Sequence, residues 1–344
     1  MGLVRSIGGV VNWCKLQLLG NPFHKKRLQN TRSCFSNPHL HTFGQASTFI
    51  SSIRATSWRF RISMLKFIKS FHGRFGSNVV IITSQTMAQT HTVSIIMPAY
   101  NAERTIASSI DSVRFQTCDN WELIIIDDAS ADTTAQIVRK AVQEDSRIRL
   151  YSNKQNMGIA ESRNYGIRQA KGNWIAFLDS DDRWQEDKLQ KQLGFIETTS
   201  AKVSYTGTAY INEAGVRSGY TLCAKEKLTL PDLLKGNVMS CSSVMICRDL
   251  MLRYPFPKGR LHEDYAVWLN VIKETKYAYG LDEPLLIYRI SGSSNSGRRL
   301  KSALMTYRSY LAVGYSHVKS VLFTLRYALH SILKRLRIRK GWRN

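Results

Sequence analysis

Acidic residues are missing from both ends of this chain. Residues 1–90 hold 12 Lys and Arg with no Asp or Glu, and residues 298–344 hold another 12, again with none. Of the 49 basic residues in the 344-residue sequence, 25 therefore lie between the flanks, beside all 25 acidic ones. The formal charge of +24 belongs wholly to the ends. Such a total would ordinarily point to nucleic acid, but a neutral middle with clustered acids repels phosphates unless a cation intervenes, so no nucleic-acid partner is expected. Paired cysteines are also lacking. Cys14, Cys34, Cys118, Cys223, Cys241 and Cys247 show no C-x-x-C or zinc-ligand spacing, which excludes a cysteine-built metal site and suits a reducing compartment. No segment approaches the ~20 uninterrupted apolar residues that span a bilayer. Neither G-x-G-x-x-G nor G-x-x-x-x-G-K-[ST] follows an apolar run, so neither a dinucleotide fold nor a P-loop is supported.

What is present is ordinary globular composition, 43% hydrophobic. Residues 1–90 form a basic, acid-free extension, expected to be poorly ordered. It resembles a transit peptide in composition only, without an apolar h-region or a cleavage site, and a natural start at Met64 or Met87 is equally open. From residue 91 the pattern changes to strands and helices in alternation, which builds a mostly parallel sheet. VSIIMP (93–98) and WELIIIDD (121–128) read as strands, each followed by a helical pattern, with Ser130 and Asp132 as candidate caps of the second helix. RIRLY (147–151) is a third strand, a helix turns in at Gly158, and GNWIAFLDSDD supplies the fourth strand.

Three of these strands end in polar groups: Pro98-Ala99-Tyr100-Asn101 with Glu103, then Asp127-Asp128, then Asp179-Ser180-Asp181-Asp182. In open α/β sheets the loops at the carboxyl ends of the strands converge on the ligand. Carboxylates packed this closely raise one another's free energy unless protons, solvent or a cation compensates. A hard divalent cation, held by one or two carboxylates and the phosphates of a nucleotide, would do so.

VSIIMPAYN, LIIIDDASADTT, NMGIAESRNYGI, GNWIAFLDSDDRW and HEDYAVWL occur in the order and approximate spacing of family 2 glycosyltransferases. The chain resembles that family over roughly 91–290, and bacterial surface-polysaccharide enzymes (O-antigen, capsule, teichuronic acid) in particular. The resemblance implies an α/β, GT-A type nucleotide-diphospho-sugar transferase fold in a domain spanning 91–297. Residues 91–198 would form its nucleotide-sugar half and 199–297 its acceptor half. It implies a nucleotide pocket lined by Pro98, Ala99, Tyr100 and Glu103, with Asp128 on the base and Arg163 on the border. Asp179, Ser180 and Asp181 would bring Mg²⁺ or Mn²⁺ to the diphosphate, with Asp182 as a further metal participant. Glu263 and Asp264 are the catalytic acids, Asp264 the base. The bland readings stand beside these: Tyr100 and Asn101 as a turn, Glu103 and the Glu263-Asp264 pair as helix-start acids, Arg163 as a surface ion pair, Trp174 and Trp184 as packing.

In the second half VSYTGTAYI and SVMICRDL read as strands, with a hairpin-like turn over 212–215 just after the first of them, and LPDLLKG as a short helix. RLHEDYAVWLNVIKET is a helix with Leu261, Tyr265, Trp268, Leu269 and Ile272 on one apolar face. In the basic tail, 298–344, Leu311, Tyr315, Val318, Leu322, Leu325, Leu329, Ile332, Leu333 and Leu336 recur every three or four positions, with Lys319, Arg326, Lys334, Arg335, Arg337 and Arg339 mainly on other faces. This amphipathic helical segment, 311–343, is expected to lie on an anionic membrane surface. The expected activity is inverting transfer of a sugar from a nucleotide-sugar donor, UDP-linked on family frequency, to a hydroxyl of a glycan or lipid-linked acceptor. The expected location is the cytoplasm, peripheral at the inner face of the membrane. The alternatives are a metal-dependent nucleotidyltransferase and, less favoured, a basic nucleic-acid-binding protein.

Overall fold

The structure, a computed structural model, describes residues 93–290 and 296–342, which fall within one compact unit. The expectations for the N-terminal extension lie outside these residues.

The centre is a parallel sheet. Strands β1 (Val93–Ala99), β2 (Trp121–Asp127), β3 (Ile148–Ser152) and β4 (Trp174–Phe177) lie in the order β3-β2-β1-β4, all parallel. Their near-continuous runs of Ile, Leu and Val are what a sheet covered on both faces requires; Ile95, Ile96, Leu123 to Ile126 and Ile175 are all 0% exposed. Helices α1 (Ile106–Arg114), α2 (Thr134–Glu144) and α3 (Ile159–Gln169) make the crossovers. Gly158, with φ 85°, starts α3 in a conformation that a side chain would strain. A Cβ on Gly166 would come within 2.7 Å of Ile96 and Ile126, so this helix rests almost directly on the sheet.

Beyond β4 the sheet becomes mixed. It runs on through β9 (Met245–Cys247), β6 (Val203–Ile211), β10 (Tyr277–Arg289) and the two-residue β5 (Arg183–Trp184), with β7 (Arg217–Leu222) and β8 (Lys227–Thr229) off the path. The expected hairpin joins β6 to β7 through Gly215, φ 81°. The expected short helix is α5 (Leu230–Leu233), closed by a capping box between Thr229 and Asp232. SVMICRDL is not one strand: Cys241–Ser243 forms a 3₁₀ turn, β9 takes three residues, and the chain turns into α6 (Arg248–Arg253). The anticipated caps of α2 are corrected too. Thr133 is its N-cap, the amide of Thr134 donates to Asp132 Oδ1 at 2.9 Å, and that of Thr133 donates to Glu103 Oε2 at 3.2 Å.

Helix α4 (Lys188–Thr199) lies between β5 and β6, and α7 (Glu263–Thr275) buries Tyr265, Trp268, Leu269 and Ile272 as its periodicity predicts. The basic tail is two helices, α8 (Ser296–Ala312) and α9 (His317–Gly341). They are integral to the core: Tyr310 is fully buried, its hydroxyl 2.8 Å from that of Tyr265, and Ser309 Oγ accepts from the amide of His262 at 3.0 Å. On α9 the face that packs carries Ser320, Phe323, Tyr327 and Ile338. Its leucines point outward.

Candidate active site

At the carboxyl end of β1 the loop 98–103 is laced to the loop after β2. Asn101 adopts φ 49°, its amide donates to Ser130 Oγ at 3.0 Å, and its Oδ1 accepts from the amide of Ala131 at 2.9 Å. Asparagine tolerates this left-handed conformation better than most residues. Glu103 Oε2 also accepts from the Thr133 hydroxyl at 2.8 Å, so this acid closes the start of α2. Tyr100 is left half-exposed on the rim. Asp127 is buried and accepts from the amide of Ser130 at 3.3 Å. Asp128 holds the loop between β3 and α3: Oδ1 accepts from Asn153 Nδ2 at 2.7 Å and the Met157 amide at 2.8 Å, and Oδ2 accepts from the Gly158 amide at 2.8 Å. Oδ2 keeps one lone pair for a further donor. A cavity of about 420 Å³ adjoins this loop, lined by Asn153, Met157, Glu161 and Tyr165 among others. None of the clustered acids lines it, so the case for a site rests on the acids' own geometry.

That geometry begins where β4 runs out. The amide of Asp179 donates to Ser242 Oγ at 3.1 Å, and the Ser180 carbonyl accepts from Ser109 Oγ at 2.9 Å. Asp182 turns inward, its Oδ1 accepting from the amide of Arg289 at 3.0 Å, while the Arg289 Nε donates to the Asp181 carbonyl at 3.2 Å. Trp184 is packing, buried beneath the loop with its Nε1 donating to the Ser242 carbonyl at 2.7 Å. Burial and then Asp179 raise the carboxyl pKa of Asp181; burial, Asp179 and Asp181 raise that of Asp182 well above the carboxylate range. Asp182 Oδ2 is buried without a hydrogen-bond partner.

The acceptor-side acids stand beside this loop. Arg163, on α3 with its side chain 3% exposed, donates from Nη2 to Asp179 Oδ1 at 2.7 Å and from Nη1 to Glu263 Oε1 at 2.9 Å. Its guanidinium also lies 5.3 Å from the Phe256 ring centre. Burial opposes its charge, but Asp179, Glu263 and Asp264 outweigh that and raise its pKa. The bland reading of Arg163 as a surface ion pair is overturned: it is the buried joint between the two acidic segments, 100 residues apart in sequence from Glu263. Glu263 is raised by burial and by Asp264, against the pull of Arg163. Asp264 accepts from its neighbour's amide, Tyr265 N, at 2.7 Å and from Asn237 Nδ2 at 3.3 Å.

The arrangement thus gathers Asp179, Asp181, Asp182, Glu263 and Asp264 and keeps Glu103 and Asp128 apart as loop fasteners. Sequence reasoning missed Ser242, Asn237 and Arg289, whose partners lie 27 to 107 residues away along the chain. A divalent cation fits this donor set in one respect, since an unpartnered buried oxygen and carboxyls pushed toward protonation mark uncompensated negative charge. Among the described residues no three ligating side chains form a cage, so a cation here needs oxygens from its substrate, as Mg²⁺ sites commonly do.

A parallel sheet with acids at its carboxyl ends, continued by a mixed half that brings a second acidic pair alongside, defines a glycosyltransferase of the GT-A fold. The fold is shared with a crystal structure of Staphylococcus aureus TarS 1–349 in complex with UDP-GlcNAc, at TM-score 0.53 and 20% identity over 68% of this chain and 70% of that one. It is shared also with the mannosyltransferase PcManGT from Pyrobaculum calidifontis in complex with GDP-Man and Mn²⁺, at TM-score 0.53 and 17% identity over 69% of each chain. The family model for glycosyl transferase family 2 matches residues 94–252. The chain is 37% identical over 245 residues, 71% of its length and 97% of the relative's, to a Bacillus subtilis (strain 168) glycosyltransferase, TuaG, named for teichuronic acid biosynthesis. It is 39% identical over 210 residues, 61% of its length and 81% of the relative's, to an Escherichia coli UDP-Glc:alpha-D-GlcNAc-diphosphoundecaprenol beta-1,3-glucosyltransferase, WfgD. The chain belongs to glycosyl transferase family 2, and it is a glycosyltransferase.

Proposed function

We propose that this enzyme transfers a sugar, with inversion, from a UDP-linked donor to a hydroxyl of a diphospholipid-linked acceptor in the assembly of a surface polysaccharide, and that it works at an anionic membrane face. The observation that carries the reading is the Arg163 bridge, which brings Asp179 at the end of β4 and Glu263 at the start of α7 onto one guanidinium. The donor-side and acceptor-side acids then share one centre. The relatives supply the substrate classes: WfgD is named for UDP-Glc and a diphosphoundecaprenol-linked acceptor, and the TarS structure holds UDP-GlcNAc.

In this reading Pro98, Ala99 and Tyr100 border the nucleotide, and the spare lone pair of Asp128 Oδ2 faces a donor on the base. Asp179 and Asp181 hold Mg²⁺ or Mn²⁺ together with the donor's diphosphate, Ser180 borders that diphosphate, and Asp182 backs the pair. The cation, when bound, offsets the charge that gathers on the departing nucleoside diphosphate. Asp264 takes the acceptor hydroxyl's proton as that oxygen attacks the anomeric carbon, which inverts the centre in one displacement. Glu263, held by Arg163, keeps the first turn of α7 in place and is a positioning residue. Residues 91–297 act as the catalytic domain in two halves and 298–344 as its membrane-facing part.

The membrane contact rests on α9. Leu322, Leu325, Leu329, Ile332 and Leu336 are 55–65% exposed along one stripe, and Lys319, Arg326, Arg335, Arg337 and Arg339 are exposed beside it. An apolar stripe flanked by cations suits an anionic leaflet, at about 1 kcal/mol per basic residue near the surface. Among the described residues no helix is long and apolar enough to cross a membrane.

The test of the catalytic reading is Asp264→Asn. An amide keeps the shape and the bond to Asn237 but takes no proton, so kcat should fall by about 10²–10⁴ while the affinity for UDP and for the donor stays within about twofold. A helix-start acid without a chemical role would instead lower stability by about 1 kcal/mol and leave kcat near wild type. That second outcome would remove Asp264 from the chemistry.

A further inference from the structure

Helix α9 has a second face, and it turns toward the site. Tyr327 packs with its ring centre 5.3 Å from that of Tyr265 and stands within electrostatic reach of Asp264. Two turns on, Lys334 is half-buried with its amine 5.7 Å from the Tyr210 ring centre. Tyr210 lies 5.9 Å from Tyr288, and Tyr288 feels Asp182, Asp179 and Asp181. The helix is fixed in this pose at its end, where Ser218 Oγ on β7 donates to the Ile338 carbonyl at 3.1 Å. One face of α9 therefore runs from the proposed base toward the acidic loop, while its opposite face carries the exposed leucines.

Lys334 is poorly compensated. Burial, then the neighbouring cation Arg335, push its amine down to about 8. Among the described residues no carboxylate pairs with it. A partly buried cation beside a second cation is costly unless an anion joins them. Its place is also telling: the acids around Asp179 already have Arg163 and Arg289, so Lys334 is not needed there. Lys334 sits about 10 Å along the helix from Tyr327, at 1.5 Å per residue. That separation is of the order of one sugar ring and its linkage, between a hydroxyl at Asp264 and a charged group at the ring's other end.

We propose that Lys334, with Arg335 on the flank between the inner face and the leucine stripe, receives the phosphates of a diphospholipid-linked acceptor. Helix α9 would then be a wall of the acceptor site as well as the membrane contact, and would admit the acceptor from the leaflet side. This inference rests on the lipid-linked acceptor proposed above. It adds the part of the acceptor that is bound and the residues that bind it.

The test uses the full chain with UDP and Mg²⁺ saturating, so that the donor's diphosphate site is filled. Farnesyl diphosphate and farnesol are titrated against intrinsic tryptophan fluorescence. The expected result is that farnesyl diphosphate binds at least tenfold tighter than farnesol, that Lys334→Gln removes this preference, and that Lys334→Arg restores it to within about threefold. Binding to vesicles containing phosphatidylglycerol should be unchanged in Lys334→Gln, because that side chain faces away from the stripe. Farnesyl diphosphate binding within twofold of wild type in Lys334→Gln would overturn the proposal. So would an equal loss of vesicle binding, which would make Lys334 a headgroup contact. Hydrolysis of UDP-glucose by the same samples reports the donor reading separately: its absence, with Lys334-dependent farnesyl diphosphate binding intact, would count against the proposed donor and leave this inference standing.

Discussion

Replacing Arg163 with methionine should be among the most damaging single changes in the described chain, and its cost should depend on pH. The side chain is 3% exposed and holds Asp179 and Glu263, themselves only 28% and 17% exposed. Removing one partner of a buried ion pair costs about 3–5 kcal/mol, because the remaining charge stays buried without compensation. Two carboxylates are stranded here, with Asp264 adding repulsion, while the partial exposure of Asp179 gives some relief, so about 3–5 kcal/mol at pH 7.5 is the expected loss. The sign with pH follows from linkage. In the variant both carboxyls have folded pKa values above their unfolded ones, so any stability they allow is present at low pH and is lost as pH rises through the folded values. The deficit relative to wild type should therefore be small near pH 5 and full by pH 7.5. Urea unfolding at the two pH values, with unchanged slope, measures it. Adding Glu263→Gln to Arg163→Met should recover part of the loss, a coupling that independent sites would not show. A loss below about 1 kcal/mol, or the same loss at both pH values, would refute the account of Arg163 as the electrostatic joint of the site.

Asp181→Asn should leave the fold intact and raise stability slightly, since burial and Asp179 already push its carboxyl toward protonation; a Mn²⁺-dependent thermal shift with UDP that persists in this variant would end its proposed metal role. Lys188 is fully buried, bonded to Gln192 at 2.7 Å and 4.0 Å from the Trp184 ring centre, and burial pushes its amine down to about 7 from the usual 10.5. The unfolded chain binds this proton more readily between those values, so stability should rise with pH from about 7 to 10. Lys188→Met should flatten that rise and raise the melting temperature most at pH 7, and an unchanged pH profile would show the amine to be charged in the fold. Leu325→Asp with Leu329→Asp, on the exposed stripe, should abolish binding to phosphatidylglycerol vesicles with little change in melting temperature; a large fall in melting temperature would return the stripe to a packing role.

The parallel half of the fold and its acids were legible because they are local. Each strand of the series ends directly in the residues that matter, and an apolar run followed by Asp179-Ser180-Asp181 states both its burial and its exit from the sheet. The mixed half was harder. SVMICRDL is a uniformly apolar run that periodicity alone does not divide, and its split into turn, strand and helix follows from β9 fitting between β4 and β6. Strand β10 carries Gly280 and Pro284, signals that ordinarily argue against a strand. Its register shifts between Leu281 and Leu286, and a Cβ on Gly280 would meet the Lys225 carbonyl at 2.3 Å. In the tail the periodicity was read correctly but its inner face was not, because Tyr327 and Lys334 gain their meaning only from Tyr265 and Tyr210 on other elements. Asp128 and Glu103 show the opposite limit. As acids at strand ends they read as ligands, while their oxygens are largely taken by backbone amides of the next loop.

The separation of charge along the chain now has a physical logic. Around Asp179 and Asp181 the described protein supplies Arg163, deeply buried and already shared with Glu263, and Arg289, whose side-chain donors go to the Asp181, Asn212 and Glu213 carbonyls. A nucleoside diphosphate arriving there brings more negative charge than these fixed cations offset, which is the electrostatic case for a divalent ion that enters with the donor. The acceptor side is the reverse. There Lys334 and Arg335 stand with one another for company, and negative charge must come from outside the described protein. A centre short of positive charge and a helix short of negative charge do not attract the same anion equally. The donor is favoured where metal can join it, and an anionic lipid is favoured along α9. The acids and bases that the sequence segregates by position are thereby placed to sort two anionic substrates that meet at Asp264.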